Sequence, residues 1–161
     1  MYDGSTAIFE KLKRPNSTQV IAVVGDKIIL QVQEQPHRPE PFLSLPGGRC
    51  EENEDALESA KRELLEETGY VSNDWTLWRE EKPHATMIWT WYTFIARNCT
   101  YMQPMKPDAG EKISLRLITF DEFLMLQEEP TFRNKSLQVS LLRARFDPEK
   151  KKELHDLFFK Q

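Results

Sequence analysis

Three glutamates, Glu63, Glu66 and Glu67, are spaced so that a helix would bring their carboxylates together. At about 100° per residue, separations of three and four positions place all three within about one hundred degrees of arc on one helical face. Like charges so placed destabilise a bare helix by a few tenths of a kcal/mol per pair. A hard divalent cation with oxygen ligands would offset that repulsion. Arg62 stands four residues before Glu66, a separation at which a guanidinium can hold a carboxylate in a fixed orientation. Gly47 and Gly48 allow a tight loop whose backbone carbonyl can turn toward the same ion. Glu54 falls where the loop enters the helix; there its charge suits the positive end of the dipole and can bond free backbone N–H groups, a structural role. The alternative is a solvated acidic face, which is the usual explanation of such a cluster and the favoured one on the helix alone.

The helix itself is expected over residues 55–68. Strong helix formers fill it, Ala56, Leu57, Ala60 and Leu64 fall at helical spacing, and Gly69 is placed to stop it. Ahead of it, residues 18–24 and 27–33 are rich in Val and Ile and joined by Gly25-Asp26, the pattern of a hairpin with a two-residue turn. A proline-rich loop over residues 35–41 leads to an apolar run, 42–45, which Pro46-Gly47-Gly48 ends. Beyond the helix, residues 75–78, 87–96 and 113–118 read as strands, with a Pro- and Gly-marked loop over 103–110. Residues 121–127 read as a short helix and 134–144 as a further one. Asp147-Pro148 pairs an N-cap with proline at the first helical position and opens a last helix to about Lys160. This order predicts a mixed α/β fold in a single domain over residues 1–161.

Composition narrows the partners. A formal net charge of −4, with 30% charged residues, favours neither a nucleic-acid backbone nor an anionic membrane surface. No apolar run approaches a membrane span, and Met1-Tyr2-Asp3-Gly4 lacks the order of a signal peptide, so an unprocessed soluble chain is expected. Cys50 and Cys99 form neither a disulfide framework nor a metal-ligand pattern; two reduced thiols suit the cytoplasm. Trp89, Trp91 and Tyr92 offer a platform for a nucleobase, although an aromatic strand is more often core or dimer interface. His37, His84 and His155 are scattered and read as surface residues, and Lys150-Lys151-Lys152 as a solvated helix face.

The segment GRCEENEDALESAKRELLEETGY resembles the Nudix box, G-x5-E-x7-R-E-U-x-E-E-x-G-U with U a bulky apolar residue. Gly48, Glu54, Arg62, Glu63, Leu64, Glu66, Glu67, Gly69 and Tyr70 fill its fixed positions, Tyr70 standing where an aliphatic residue is usual. The flanking hairpin, the Pro-Gly-Gly turn and the later strands extend the resemblance over most of the chain. It implies an α/β/α sandwich with a mixed sheet, a catalytic loop-helix-loop and C-terminal helices. It also implies metal ligation by the Gly47 carbonyl with Glu63, Glu66 and Glu67, an orienting role for Arg62, and Mg²⁺ as cofactor, with Mn²⁺ as the alternative.

Two further segments resemble the branch of that family that cleaves ADP-ribose and nucleoside diphosphate sugars. Asp108-Ala109-Gly110-Glu111 stands where that branch places a loop glutamate that serves as base, which makes Glu111 the candidate; a surface loop glutamate is the other reading. Glu34-Gln35 and Arg38 resemble a Glu-Gln-x-Arg segment whose arginine reaches substrate phosphate, here with Pro36 and His37 intervening. Neither the proline-rich run of the NADH-cleaving branch nor the marker run of the coenzyme A branch is present. The proline that ADP-ribose enzymes place after the box is out of register, since the nearest, Pro83, comes early. The resemblance therefore implies a small-molecule nucleotide substrate, with a nucleoside triphosphate as the alternative and a homodimer as a plausible assembly. A non-catalytic nucleotide sensor of the same fold would commonly lack box glutamates that are all present here.

Overall fold

In the computed structural model, which describes residues 1–82 and 85–160, the Val- and Ile-rich segments become the centre of a six-stranded mixed sheet. Pro83 and His84, singled out above, lie outside the described residues. In chain order the strands are β1 (Leu12–Lys13), β2 (Ser17–Val24), β3 (Lys27–Glu34), β4 (Phe42–Ser44), β5 (Tyr70–Val71) and β6 (Asp74–Glu81). After them come β7 (Met87–Ile88), β8 (Trp91–Arg97), β9 (Thr100–Tyr101) and β10 (Lys112–Ile118). The helices are α1 (Ala56–Thr68), α2 (Phe120–Met125), α3 (Gln138–Phe146) and α4 (Pro148–Phe159).

The large sheet runs β10-β3-β2-β8-β6, with β2 and β8 parallel and β4 paired to β3. The predicted hairpin is present, turning at Gly25-Asp26, but β2 and β3 pair only at Val23↔Ile28 and Val24↔Lys27 before they diverge. Farther along β3, β4 takes the vacated edge, pairing Gln31↔Ser44 through Gln33↔Phe42. The gap left beside β2 is closed by the loop after β4. Thr18 N–H donates to the Gly48 carbonyl at 2.9 Å and Val20 N–H to the Pro46 carbonyl at 2.8 Å. The Pro-Gly-Gly loop is thus hydrogen-bonded into the sheet.

Alternation along the strands divides the core in two. Val20, Ala22, Ile29, Phe94 and Ala96 face α1 through Ala60 and Leu64. Ile21, Val23, Ile28, Leu30 and Ile95 face the other way, against Phe120 and Phe123 of α2, Leu141 of α3 and Phe158 of α4. The result is the expected helix-sheet-helix layering. Leu64 is fully buried in the first core, and truncation to Ala would cost about 2–5 kcal/mol. The Asp55 side chain caps α1 by accepting from Leu57 N–H at 2.8 Å, and Gly69 ends it at φ 75° with its N–H on the Leu65 carbonyl.

Some expected boundaries shift for identifiable reasons. The strand expected over 87–96 breaks at Trp89-Thr90, because the Asn16 side chain takes the Thr90 N–H at 2.9 Å; β7 then pairs with β1 and only β8 joins the large sheet. The strand expected over 75–78 extends to all of β6, through an irregularity between Leu77 and Arg79. Residues 134–144 do not form one helix: Asn134 accepts from Leu45 N–H through its side-chain oxygen, Lys135–Leu137 make a 3-10 turn, and α3 follows. Helix α2 starts one residue early on a Thr119/Glu122 capping box. Asp147 and Pro148 open α4 as read from the sequence. Among the described residues, no helix is long and apolar enough to cross a membrane.

Candidate active site

A cavity of about 990 Å³ opens where β2 and β3 diverge, walled by the Pro-Gly-Gly loop, the glutamate face of α1, the end of β3, the loop before β10, and Trp91 and Arg133. Its floor is the loop itself. Gly47 holds φ 145°, and a Cβ there would collide with the Thr18 backbone carbonyl; a Cβ on Gly48 would collide with the Glu63 carboxylate. Glycine at both positions is therefore a steric requirement of bringing backbone and carboxylate together.

Arg62 organises the acidic face. Its Nη1 donates to Glu63 Oε1 and to Glu66 Oε2, both at 3.0 Å, as the spacing predicted for Glu66. Its remaining nitrogens meet Glu54 at 2.9 and 3.1 Å and the Arg49 carbonyl at 3.1 Å. The expectation for Glu54 is corrected in detail: Asp55 is the helix cap, and Glu54 instead grips Arg62 and accepts from Glu51 N–H at 2.8 Å. That bidentate contact holds the Glu54 carboxyl below its ordinary range.

Burial pushes the Glu63 carboxyl up to about 7 in spite of Arg62, with repulsion from Glu66 and Asp108 adding to it. Glu67, buried at the base of α1, is pushed up to about 8 by desolvation and by the charges of Glu63 and Glu111; hydrogen bonds from Gly47 N–H at 2.8 Å and Gln31 Nε2 at 3.0 Å pull the other way. Among the described residues, no three His, Cys, Asp or Glu side chains are already converged on one point, because Glu66 is turned to Arg62 and Glu67 to Gln31 and Gly47. The donor set nevertheless fits a hard divalent cation. Its members are oxygen donors, burial and neighbouring charges raise the carboxyls of Glu63 and Glu67, and no backbone donor among the described residues reaches the Gly47 carbonyl.

Glu111 comes to the same cavity from the loop before β10. Its Oε1 accepts from Gln35 Nε2 at 3.0 Å, and its carboxyl is raised by burial and by Asp108, with Gln35 and Arg133 opposing. Arg38 and Trp89 do not line the cavity. The Arg38 guanidinium lies 4.8 Å from the Phe42 ring centroid, on a ring that Arg133 also covers at 4.7 Å. Trp89 carries Arg14 over its face at 4.3 Å and meets Trp91 edge-on at 5.4 Å, and it is Trp91 that lines the cavity.

Other residues stand largely as the sequence reads them: His37 and His155 are exposed, the two cysteines are free, and the lysine run lies on the surface. His37 lines the cavity, and His155 packs between Phe120 and Phe159. Cys50 and Cys99 are both free and buried, and burial raises both thiols, that of Cys99 to about 12. Lys150 and Lys151 pair with Glu153 and Asp121 on the surface. Sequence reasoning missed Arg133, a cation on the cavity wall whose guanidinium is pushed below its ordinary range by desolvation and by Arg38. It also missed three glutamines in a hydrogen-bonded row, Gln33 and Gln35 lining the cavity and Gln31 buried behind them. Their signal was available: glutamine at every second position of a Val/Ile-rich strand.

Comparison with known proteins agrees with this geometry. The Nudix domain family model matches residues 13–139. The ADP-ribose pyrophosphatase of Bacillus subtilis (strain 168) is 33% identical over 139 residues, 78% of this chain and 70% of that protein. A methanol dehydrogenase activator of Bacillus methanolicus is 37% identical over 70 residues, 42% of this chain, and the match spans only 37% of that relative's length. A solved ADP compounds hydrolase shares the fold at a TM-score of 0.69 and 20% identity, over 86% of this chain and 76% of that one. With the matched span, the loop-helix-loop at residues 47–69 and its carboxylate-lined cavity taken together, the chain belongs to the Nudix family and is a Nudix hydrolase similar to ADP-ribose pyrophosphatase.

Proposed function

We propose that this chain hydrolyses the diphosphate linkage of ADP-ribose or of a nucleoside diphosphate sugar, releasing a nucleoside monophosphate and a sugar phosphate. The observation that carries the reading is the gathering of Glu111, from a loop outside the box, into the cavity that Glu63, Glu66 and Glu67 line. A water oxygen attacks one phosphorus, the bond from that phosphorus to the bridging oxygen breaks, and the water's proton passes to Glu111. Burial lifts the Glu111 carboxyl above its ordinary range, which makes it a better proton acceptor. The cavity volume is at the upper end for small-molecule sites, room for a nucleoside and a second moiety on either side of the diphosphate.

Nudix hydrolases generally use divalent metal ions; for this chain we assign Mg²⁺, with Mn²⁺ as the alternative, to Glu63, Glu66, Glu67 and the Gly47 carbonyl. When bound, the ion supplies charge neutralisation at the diphosphate and Lewis acidity. Arg62 holds Glu63 and Glu66 in place for it. Arg38 is assigned to substrate phosphate, reached from its seat on Phe42, and Trp89 to the nucleobase platform behind Trp91. The exposed Ile8, Phe9 and Leu12 support a homodimer, and the two free thiols support a cytoplasmic setting for one domain spanning the chain.

A panel of ADP-ribose, other nucleoside diphosphate sugars and nucleoside triphosphates with Mg²⁺ tests the proposal. Release of a nucleoside monophosphate and a sugar phosphate is the expected result. Turnover of triphosphates alone, with pyrophosphate released, would overturn it.

A further inference from the structure

The row of glutamines on β3 and just after it has a polarity. Gln35 Nε2 donates to Glu111 Oε1 at 3.0 Å and to Gln33 Oε1 at 3.2 Å, which uses both hydrogens of that amide. Gln33 Nε2 donates to Gln31 Oε1 at 2.7 Å, an oxygen that also accepts from Ser44 Oγ at 3.1 Å. Gln31 Nε2 then donates to Glu67 Oε2 at 3.0 Å, beside the Gly47 N–H. From Gln35 to Glu67 every step donates in one sense along the row, while the second hydrogen of Gln35 points the other way to Glu111, so both ends present a donor. Only an acceptor can satisfy each end, and each end meets a carboxylate.

Reversing Gln31 or Gln33 would set a carbonyl oxygen against another oxygen on one side and an N–H against an N–H on the other, and reversing Gln35 would set its oxygen against both Gln33 Oε1 and the Glu111 carboxylate. The orientation is therefore locked from both ends and by Ser44 in the middle. The location argues for more than filling space. On the same strand face the preceding position is Ile29, fully buried in the α1 core, so the pattern changes from apolar to amide where the strand reaches the cavity. Gln31 and Gln33 are themselves 0% and 5% exposed, and a buried amide left unsatisfied costs about 1–3 kcal/mol. An apolar side chain would avoid that risk at either position.

We propose that Gln31, Gln33 and Gln35 act as a strut of positioning residues that sets Glu111 at a fixed place relative to Glu67, so that the proton acceptor and the box carboxylate are held in register by β3 and the residue that follows it. The inference rests on the reading of Glu111 as the base. The strut moves no proton itself; it fixes where an acceptor carboxylate stands, and a displacement of about 1 Å at such a group can cost about a hundredfold in rate.

The test is a double-mutant cycle on the full chain with Mg²⁺ and the best substrate of the panel above. Gln35→Met removes the contact to Glu111 at nearly constant volume, Gln33→Met severs the middle of the row, and Glu111→Gln removes the base. Expected are losses in kcat of roughly ten- to a hundredfold for Gln35→Met and roughly three- to tenfold for Gln33→Met, with KM held within about twofold, and no further loss when either is added to Glu111→Gln. Thermal melting checks that each variant is folded, and Gln35→Asn and Gln33→Asn stand in for any Met variant that is not. Wild-type turnover in Glu111→Gln would overturn the base assignment and the strut with it. Loss in Glu111→Gln alongside wild-type kcat in either amide variant would overturn the strut alone, as would losses that multiply with that of Glu111→Gln.

Discussion

The carboxylate of Glu63 occupies the space that a side chain on Gly48 would need, while the neighbouring Gly47 is closed off by the Thr18 backbone carbonyl. The two glycines therefore fail differently when replaced. In Gly48→Ala the methyl meets the end of a flexible side chain, so the fold should survive and kcat should fall by about a hundredfold as Glu63 is displaced. In Gly47→Ala it meets backbone at a strained φ of 145°, and roughly 2–4 kcal/mol of stability should be lost. Thermal melts and turnover of the two variants, measured together, check the contrast.

Without divalent cation, stability should fall as pH rises from about 4.5 toward 8. The folded-state values of Glu63, about 7, and Glu67, about 8, lie above the ordinary carboxylate value, so the native protein binds more protons than the unfolded chain across that window. Their contribution is complete below the unfolded value and is lost as pH passes through the folded ones. Added Mg²⁺ should recover the loss at pH 8 and have little effect at pH 5. In Glu67→Gln the melting temperature should depend less on pH, and hydrolysis should fall by at least about a thousandfold. Melting curves across pH, with and without the ion, provide the measurement.

Arg62→Lys should behave as a severe substitution. One guanidinium spans Glu54, Glu63, Glu66 and the Arg49 carbonyl, and an ammonium group cannot reproduce that fork. We expect kcat to drop by about ten- to a hundredfold with only a small change in melting temperature. A lysine variant with wild-type kcat would mean that the glutamates orient themselves.

The aromatic pair separates by position. Trp91→Ala should raise KM for the nucleotide by about tenfold, in keeping with the roughly 1–3 kcal/mol that a base gains on an aromatic platform. Trp89→Ala should act more weakly, because its ring stands behind Trp91, outside the cavity lining, and carries Arg14 on its face. Steady-state kinetics on both variants would show the order, and a larger effect at Trp89 would reverse the assignment.

What was legible in the sequence follows from how local each feature is. The Arg62–Glu66 contact and the Gly69 stop of α1 are fixed by spacing within a few turns and stand as read, whereas the direction of Glu67 and the choice of Asp55 as cap depend on partners outside that spacing. The hairpin turn is equally local, but its early divergence is not, since it depends on β4 and the 46–48 backbone competing for the edges of β3 and β2. The break at Trp89-Thr90 depends on Asn16, 74 residues away in the chain. Arg133 enters the cavity because Arg133 N–H donates to the Leu43 carbonyl at 2.8 Å, a contact with no local pattern. The glutamine row was readable as an alternation, yet nothing in the chain spacing says that its two ends meet Glu67 and Glu111.

Because residues 46–48 supply carbonyls to β2 as a strand would, the length of this loop is set by sheet register as much as by chemistry. One inserted residue would shift both carbonyls relative to Thr18 and Val20 and turn the wrong peptide oxygen toward the glutamates. Beyond Gln35, on the far rim, residues 36–41 form no strand among the described residues, so a change of length there would cost the sheet less. The glutamate face of α1 is thereby coupled to an element whose length the sheet itself constrains, in contrast to the rim, which the sheet leaves free.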